Sequence, residues 1–186
     1  MPLTDQDKLQ LLGIARASVE SAVRGELPPK VHVDSEELLK PRGAFVTLTA
    51  HGDLRGCIGY IEPVKPLAVT VNEVAAKAAL EDPRFPPVTE NELPEIEVEI
   101  SALTPLKLME SPDEIEIGKH GLVVELGYFR GLLLPQVATE YGWDREMFLA
   151  QTCRKAGLPA DAWKDPQARV YLFSAEVFSE SEFAQP

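Results

Sequence analysis

Cysteine and histidine are scarce in this chain of 186 residues, which has two cysteines and three histidines. Cys57 and Cys153 lie far apart, and neither belongs to a CxxC pair, so a secreted disulfide framework is not expected. The wide separation of the histidines gives no spacing typical of a zinc site. We therefore expect reduced thiols in a cytoplasmic protein, with no metal and no cofactor.

Positive charge and long apolar runs are also lacking. The chain has 18 Lys and Arg against 30 Asp and Glu, a formal net charge of -12. Such a surface repels nucleic-acid phosphates and anionic lipid, and the densest basic stretches are only Lys40-Pro41-Arg42 and Arg154-Lys155. No apolar run reaches the ~20 residues that span a bilayer, and the N-terminus is too charged for a signal peptide. We expect neither nucleic acid nor membrane as a partner.

The apolar residues that are present recur with periods typical of both helices and strands. No regular βαβ alternation appears, which favours an α+β fold with mainly antiparallel sheet. No repeat or long linker appears, so residues 1–186 are expected to form one domain. The first half is predicted to contain a helix that Thr4 caps and Gly25 ends, a short turn at Ser35–Leu39, a hairpin over 44–61 and a helix over 63–82. The second half is predicted to contain a strand over 95–106, three short strands over 113–137, of which Pro135 ends the third, a helix that Asp144 caps and Gly157 ends, and a strand over 168–178.

The register of the predicted hairpin decides which way Cys57 points. A two-residue turn at Gly52-Asp53 would mix apolar and charged groups on one face. A three-residue turn at His51–Asp53 makes one face wholly apolar, with the pairs Ala50–Leu54, Leu48–Gly56 and Val46–Ile58. Because a slip of one residue flips every side chain, the second register is favoured. It places Thr47, Thr49, Arg55 and Cys57 on the other face.

In this register Arg55 and Cys57 are neighbours, and a guanidinium favours the thiolate form of a cysteine. Gly56 and Gly59 would let another backbone or a ligand come close. A nucleophilic cysteine also needs a base, and His120 is the best-placed histidine for that role. The alternative is structural, because free cysteines are often buried and glycines in strands often mark bulges.

Other signals are weaker. The segment 82–87 holds Arg84 and Phe85 between prolines, which suits either an anion or partner site or a capping loop with Phe85 buried. Neither a GxSxG motif nor a phosphate-binding glycine loop is present. The glutamates at 92, 95, 97 and 99 are interpreted as a solvated strand face.

Five segments together resemble the AMMECR domain family, named for a human chromosomal region linked to Alport syndrome, midface hypoplasia and elliptocytosis. They occur in the family's order and cover nearly the whole chain, which is similar to the single-domain members found in prokaryotes. The segments are LRGCIGY at 54–60, 82–106, GKHGLVV at 118–124, RGLLLPQVATEYGW at 130–143 and 148–163.

The resemblance implies two unequal lobes with mainly antiparallel sheets, flanking helices and a cleft between them. It implies no established activity, but it suggests a pathway shared with Memo-type and radical SAM proteins. Two functions are expected: a binding or accessory module that uses the LRGCIG surface to dock a protein or a small anionic ligand, or an enzyme in which Cys57 is the nucleophile, Arg55 activates it and His120 is the base. The site carried over from the family comprises Arg55, Gly56, Cys57 and Gly59, with Arg84, Phe85, His120 and Gln136 as candidate neighbours.

Overall fold

The computed structural model describes residues 2–184, which form helices and strands in a mixed order. The α-helices are α1 (Asp5–Val23), α2 (Glu36–Leu39), α3 (Leu67–Leu80), α4 (Pro135–Tyr141), α5 (Arg145–Lys155) and α6 (Glu180–Phe183). The strands are β1 (Ala44–Ala50), β2 (Asp53–Tyr60), β3 (Ile96–Leu103), β4 (Lys107–Leu108), β5 (Gly121–Leu126), β6 (Phe129–Leu133), β7 (Arg169–Phe173) and β8 (Ala175–Ser179). Short 3-10 helices cover Glu90–Glu95, Pro112–Glu114 and Ala162–Lys164.

The chain divides into two compact units. Unit 1 comprises Met1–Leu103 and Glu176–Pro186, and unit 2 comprises Thr104–Ala175. One four-stranded sheet has the order β2-β1-β3-β8 and the other has the order β4-β7-β5-β6. Both sheets are antiparallel, so the predicted α+β class is confirmed. No helix among the described residues is long and apolar enough to cross a membrane.

Unit 1 packs two helices on one face of its sheet. Thr4 caps α1 as predicted, in a capping box with Asp7. The inner face of α3 consists largely of alanine and valine, which lets the helix lie close to β1 and β2. The strand residues that meet these helices are fully buried: Val46, Leu48, Val98 and Ile100. Their alternation with polar neighbours is the pattern predicted for β3 and the hairpin.

The hairpin register is confirmed at its centre and corrected at its turn. Val46 pairs with Ile58 and Leu48 with Gly56, as predicted. Ala50, however, pairs with Asp53 rather than Leu54, because His51 and Gly52 both take positive φ angles of 53° and 82° and close a tight turn. A register shift after Leu48 absorbs the extra residue as a bulge.

Unit 2 departs further from the predicted elements. Asp144 caps α5 by accepting from the amide of Met147, as expected. The segment 113–117 is not a strand: its first two residues belong to the 3-10 helix Pro112–Glu114, and the rest form an irregular stretch that ends in a turn. Pro135 does not merely end a strand: it opens α4 at a first-turn position, where its missing N–H costs nothing.

The final predicted strand is in fact two strands in two sheets. β7 ends at Phe173 and β8 begins at Ala175, with Ser174 between them. β7 lies between β4 and β5 of the second sheet, whereas β8 pairs with β3 at the edge of the first. At the break between the two strands, the Ser174 amide donates to the Thr104 hydroxyl at 2.8 Å. Both residues belong to unit 2.

Candidate functional site

The predicted Arg55–Cys57 segment lies on β2, the edge strand of the unit 1 sheet. An exposed strand edge presents unpaired backbone groups that a folded protein must cover. Residues 82–93, which we call the edge loop, supply the partners. The Arg55 side chain and the Cys57 amide of β2 each donate to a carboxylate of this loop.

Arg55 makes a two-point contact with the edge loop. Its Nε donates to Oε1 of Glu92 at 2.8 Å and its Nη2 to Oε2 at 3.2 Å. Its Nη1 donates to the carbonyl of Pro86 at 2.9 Å, and only 14% of the side chain is exposed. The hydrogen bonds from Arg55 lower the pKa of Glu92 to about 2. Arg55 therefore holds the edge loop against β2 and presents little of its guanidinium to solvent.

Cys57 is half-buried and anchored on two sides. The Thr47 hydroxyl donates to its Sγ at 3.3 Å from the opposite position on β1. The Cys57 amide donates to Oδ2 of Asp82 at 2.9 Å, across the free edge of β2. The Cys57 sulfur and amide are therefore held by contacts to β1 on one side and to the edge loop on the other.

Asp82 links Cys57 to Arg84. Its buried carboxylate accepts from Nε of Arg84 at 3.0 Å and from Nη2 at 2.8 Å. These bonds, with the donation from the Cys57 amide, hold the pKa of Asp82 well below its usual range. The pKa of Arg84 is raised in turn, first by Asp82 and further by the nearby Cys57. Arg84 is thus linked to Cys57 through Asp82, with 56% of its side chain exposed and its guanidinium 5.5 Å from the ring of half-buried Phe85.

The two glycines of the segment serve packing. A Cβ on Gly56 would lie 2.2 Å from the carbonyl oxygen of Ala78, so the glycine admits α3 rather than a ligand. A Cβ on Gly59 would lie 2.3 Å from the ring of Phe45, which lies over this position from β1. Gly59 also lines a pocket of about 360 Å³ in unit 1, together with Tyr60, Ile61, Glu62, Val64, Lys65 and Thr70.

A row of three side chains crosses the outer face of the unit 1 sheet. Cys57 is opposite Thr47, and Thr47 is opposite Glu99 of β3. Burial raises the pKa of Glu99, and the neighbouring acids Glu182 and Glu97 raise it further. The row places a thiol, a hydroxyl and a carboxyl group side by side, since directly opposed residues have Cβ atoms about 5 Å apart.

The two remaining candidates lie in unit 2. Gln136 is exposed in the first turn of α4. Nδ1 of His120 accepts a hydrogen bond from the Glu116 amide at 3.0 Å. Cys57 and His120 belong to different units, and each makes its hydrogen bonds inside its own unit, so their catalytic pairing stays a prediction. Among residues 2–184, no group of three or more His, Cys, Asp and Glu side chains could hold a metal ion.

Sequence reasoning missed Asp82, Glu92 and Glu99 as members of this site. Glu92 was interpreted as part of a solvated strand face, but it lies in the 3-10 helix Glu90–Glu95. There it also completes a capping box by accepting from the Thr89 amide at 2.8 Å. The Thr-x-x-Glu spacing from Thr89 to Glu92 is typical of a capping box, and it is the signal that predicts a helical turn rather than a strand at Glu92.

Comparison with known proteins finds similarity over most of the chain. A model of the AMMECR1 family matches residues 12–178, which include parts of both units. A protein of Methanothermobacter thermautotrophicus is 50% identical over 186 residues, covering 96% of this chain and 97% of the relative. Protein TK0174 of Thermococcus kodakarensis is 49% identical, covering 91% and 88%. The crystal structure of the uncharacterized protein PH0010 from Pyrococcus horikoshii is 45% identical, with a TM-score of 0.72 and coverage of 91% and 89%.

Proposed function

We propose that this chain, which belongs to the AMMECR1 family, is a binding or accessory module. The names of the relatives compared above state no activity, so the proposal is argued from the site itself. The recognition surface of the module comprises Thr47, Cys57, Arg84 and Phe85, which we call the Cys57 surface. The observation that carries the proposal is the double hydrogen bond between Arg55 and Glu92. It makes the arginine of the LRGCIG segment a structural support for a rigid surface.

Arg84 is the residue of this surface that suits an acidic partner. Its guanidinium is exposed, yet the contact with Asp82 holds it in place. A side chain fixed before binding loses little rotamer entropy when a partner arrives, which favours affinity. Because the chain as a whole carries a net charge of -12, attraction of an anionic group depends on this local cation. The proposed partner group is a carboxylate or phosphate on a protein or small ligand.

The partners suggested by the family resemblance are Memo-type and radical SAM proteins. The test is calorimetric titration of each purified protein, from one source organism, into the full chain. We expect one of them to bind, and Arg84→Glu to weaken binding by about tenfold or more through charge reversal. Lys30→Glu is the matched control, because Lys30 is exposed in the connector of unit 1 and the charge change is the same.

The outcomes of this titration separate the parts of the proposal. If neither protein binds the unaltered chain, the partner assignment is wrong. Binding that Arg84→Glu and Lys30→Glu leave equally strong would contradict the Cys57 surface instead. Circular dichroism and urea denaturation of Arg84→Glu check that the variant still folds stably, because Asp82 loses its partner in that variant.

A second candidate function is supported by the Thr47 contact. In this alternative Cys57 is the nucleophile of an enzyme, which the sequence pairs with Arg55 as activator and His120 as base. Within unit 1 the group that contacts the Cys57 sulfur is the Thr47 hydroxyl, and Arg84 is linked to the Cys57 amide through Asp82, whereas Arg55 is bound to Glu92.

A further inference from the structure

The edge loop covers only part of the free edge of β2. In an antiparallel ladder, successive residues of a strand point their N–H and C=O groups alternately to the two sides. The Cys57 amide donates to Asp82 rather than to β1, so the main chain of Cys57 points to the free edge. By the same alternation Ile58 bonds to β1, and the main chain of Gly59 again points to the free edge.

The other side of the sheet supports this alternation. Val98 of β3 is opposite Leu48 of β1, and its amide donates to Glu180 at 3.0 Å instead of to β1. Leu48 therefore bonds to β2, and Val46, two residues before it, does so as well. Among the described residues, no loop, turn or side-chain hydrogen bond reaches the N–H or C=O of Gly59. Gly59 thus keeps one donor and one acceptor at an open sheet edge.

The open edge ends at Asp82 and Arg84. Oδ2 of Asp82 accepts from the Cys57 amide at 2.9 Å, so the next hydrogen-bonding position along the edge is filled. The same oxygen accepts from Nη2 of Arg84 at 2.8 Å, which holds the guanidinium beside this edge. Nε of Arg84 also donates to Asp82, whereas Nη1 has no hydrogen-bond acceptor among the described residues. A strand added to β2 therefore stops beside a cation that has an unused donor.

An apolar pocket adjoins the other end of the open edge. It is the pocket of about 360 Å³ that Gly59 lines, and its apolar lining residues include Tyr60, Ile61 and Val64. Tyr60 packs against the core of unit 1, and Val64 is 76% exposed. Because directly opposed residues share a face of a sheet, a residue opposite Tyr60 on an added strand points towards this pocket. The pocket therefore suits an apolar side chain at that position.

We propose that the open edge of β2 binds the C-terminal segment of the partner protein as an additional antiparallel strand. One residue of the segment exchanges two main-chain hydrogen bonds with Gly59, and the residue before it places an apolar side chain in the pocket. The residue after it ends the chain, and its carboxylate accepts from Nη1 of Arg84. The antiparallel direction brings the chain end to Asp82, where the ladder stops. This inference rests on the proposed function, because it names the partner group that Arg84 binds.

An array of random hexapeptides tests the preference for a chain end. Each peptide is acetylated and made in two forms, with a free C-terminal carboxylate or a C-terminal amide, and the array is probed with the full chain. We expect binders to have the free carboxylate and an apolar residue third from the end. The tightest binder should lose about tenfold or more in affinity as its amide, measured by calorimetry. Absence of binders, or equal affinity of the two forms, would overturn the proposal.

Hydrogen exchange of the ¹⁵N-labelled full chain locates the added strand. When the tightest-binding peptide saturates the chain, the Gly59 amide should exchange about tenfold more slowly or more, because it gains an acceptor. The Cys57 amide, which already donates to Asp82, should change far less. An unchanged Gly59 amide in the saturated complex would contradict strand addition at this edge.

Matched variants separate this inference from the proposed function. Val64→Asp places a charge in the pocket and should weaken peptide binding about tenfold or more. Leu27→Asp is the control, because Leu27 is also exposed in unit 1 and the charge change is the same. If Arg84→Glu weakens binding of the Memo-type or radical SAM protein and Val64→Asp does not, strand addition is wrong and the Cys57 surface is retained. If neither variant weakens it, the proposed function is contradicted as well.

Discussion

The carboxylate of Glu92 receives two hydrogen bonds from the guanidinium of Arg55, at 2.8 Å and 3.2 Å. This pair joins the edge strand β2 to the 3-10 helix of the edge loop. A planar guanidinium and a carboxylate match in this geometry, which makes the contact directional as well as attractive. Arg55 of the LRGCIG segment therefore holds the edge loop in place, and the exposed positive charge of the site is that of Arg84.

The Arg55–Glu92 pair predicts a pH dependence of stability. The pKa of Glu92 in the folded chain is about 2, below its ordinary 4.5, so the folded state binds this proton less readily than the unfolded state. The stabilisation of the folded state by ionised Glu92 is complete above pH 4.5 and is lost as the pH falls towards 2. Glu92→Gln should lower the free energy of unfolding by about 1 kcal/mol at neutral pH, and by less in acid, measured by urea denaturation.

Glu90→Gln is the control for this measurement. Glu90 is exposed in the same 3-10 helix, and the substitution removes the same charge. Its free energy of unfolding should follow the unaltered chain from neutral to acid pH. A Glu92→Gln variant whose deficit did not shrink in acid would show that the ion pair is not the source of the effect.

Gly56 predicts a packing defect on substitution. A Cβ at this position would lie 2.2 Å from the carbonyl oxygen of Ala78, so Gly56→Ala must push α3 away from β2. We expect the free energy of unfolding to fall by roughly 1–3 kcal/mol. Gly13→Ala is the matched control, because nothing lies within 4 Å of its Cβ in α1, and alanine should stabilise that helix by up to about 1 kcal/mol. Equal effects of the two substitutions would contradict the close approach of α3.

Thiol labelling compares the two cysteines. Cys57 is half-buried, whereas Cys153 is fully buried and its pKa is raised by burial. Iodoacetamide should therefore alkylate Cys57 about tenfold faster or more, measured by peptide mass spectrometry. Equal rates at both thiols would contradict the exposure assigned to Cys57.

The rate of the same alkylation tests whether the Thr47 hydroxyl affects the reactivity of Cys57. Thr47→Val removes the hydroxyl that donates to Sγ and should slow alkylation of Cys57 severalfold at neutral pH. Thr49→Val is the control on the same strand, since Thr49 is opposite Leu54. Unchanged rates in both variants would leave the nucleophile alternative without its supporting contact.

Most helices and strands were predictable from the sequence, but the strands and loops that they contact in the fold were not. Capping by Thr4 and Asp144 depends on residues within one helical turn, and both caps were predicted. The hairpin centre followed from alternation, but the turn at His51-Gly52 depended on a left-handed histidine that the pattern does not reveal. The segment 168–178 has a continuous strand pattern, and only the tertiary pairing divides it between two sheets.

In the candidate site, too, contacts within the hairpin were predictable and contacts between distant segments were not. Local reasoning selected Arg55 and Cys57 and placed Cys57 on one sheet face with Thr47, since those positions share one hairpin. It did not find Asp82 or Glu92, because they reach β2 from 25 and 37 positions away. The row to Glu99 required knowing that β3 pairs with β1. Spacing along the chain carries no information on which distant carboxylate meets which guanidinium.

The most direct test of the proposed function is the affinity of the Cys57→Ser variant for the proposed partners, the Memo-type and radical SAM proteins. Serine keeps the approximate shape of the side chain and its contact with Thr47, but it removes the nucleophilic sulfur. The binding-module account predicts a dissociation constant within about threefold of the unaltered chain in calorimetric titration. Loss of binding in a folded Cys57→Ser variant, or a covalent product that only the unaltered chain forms, would contradict it.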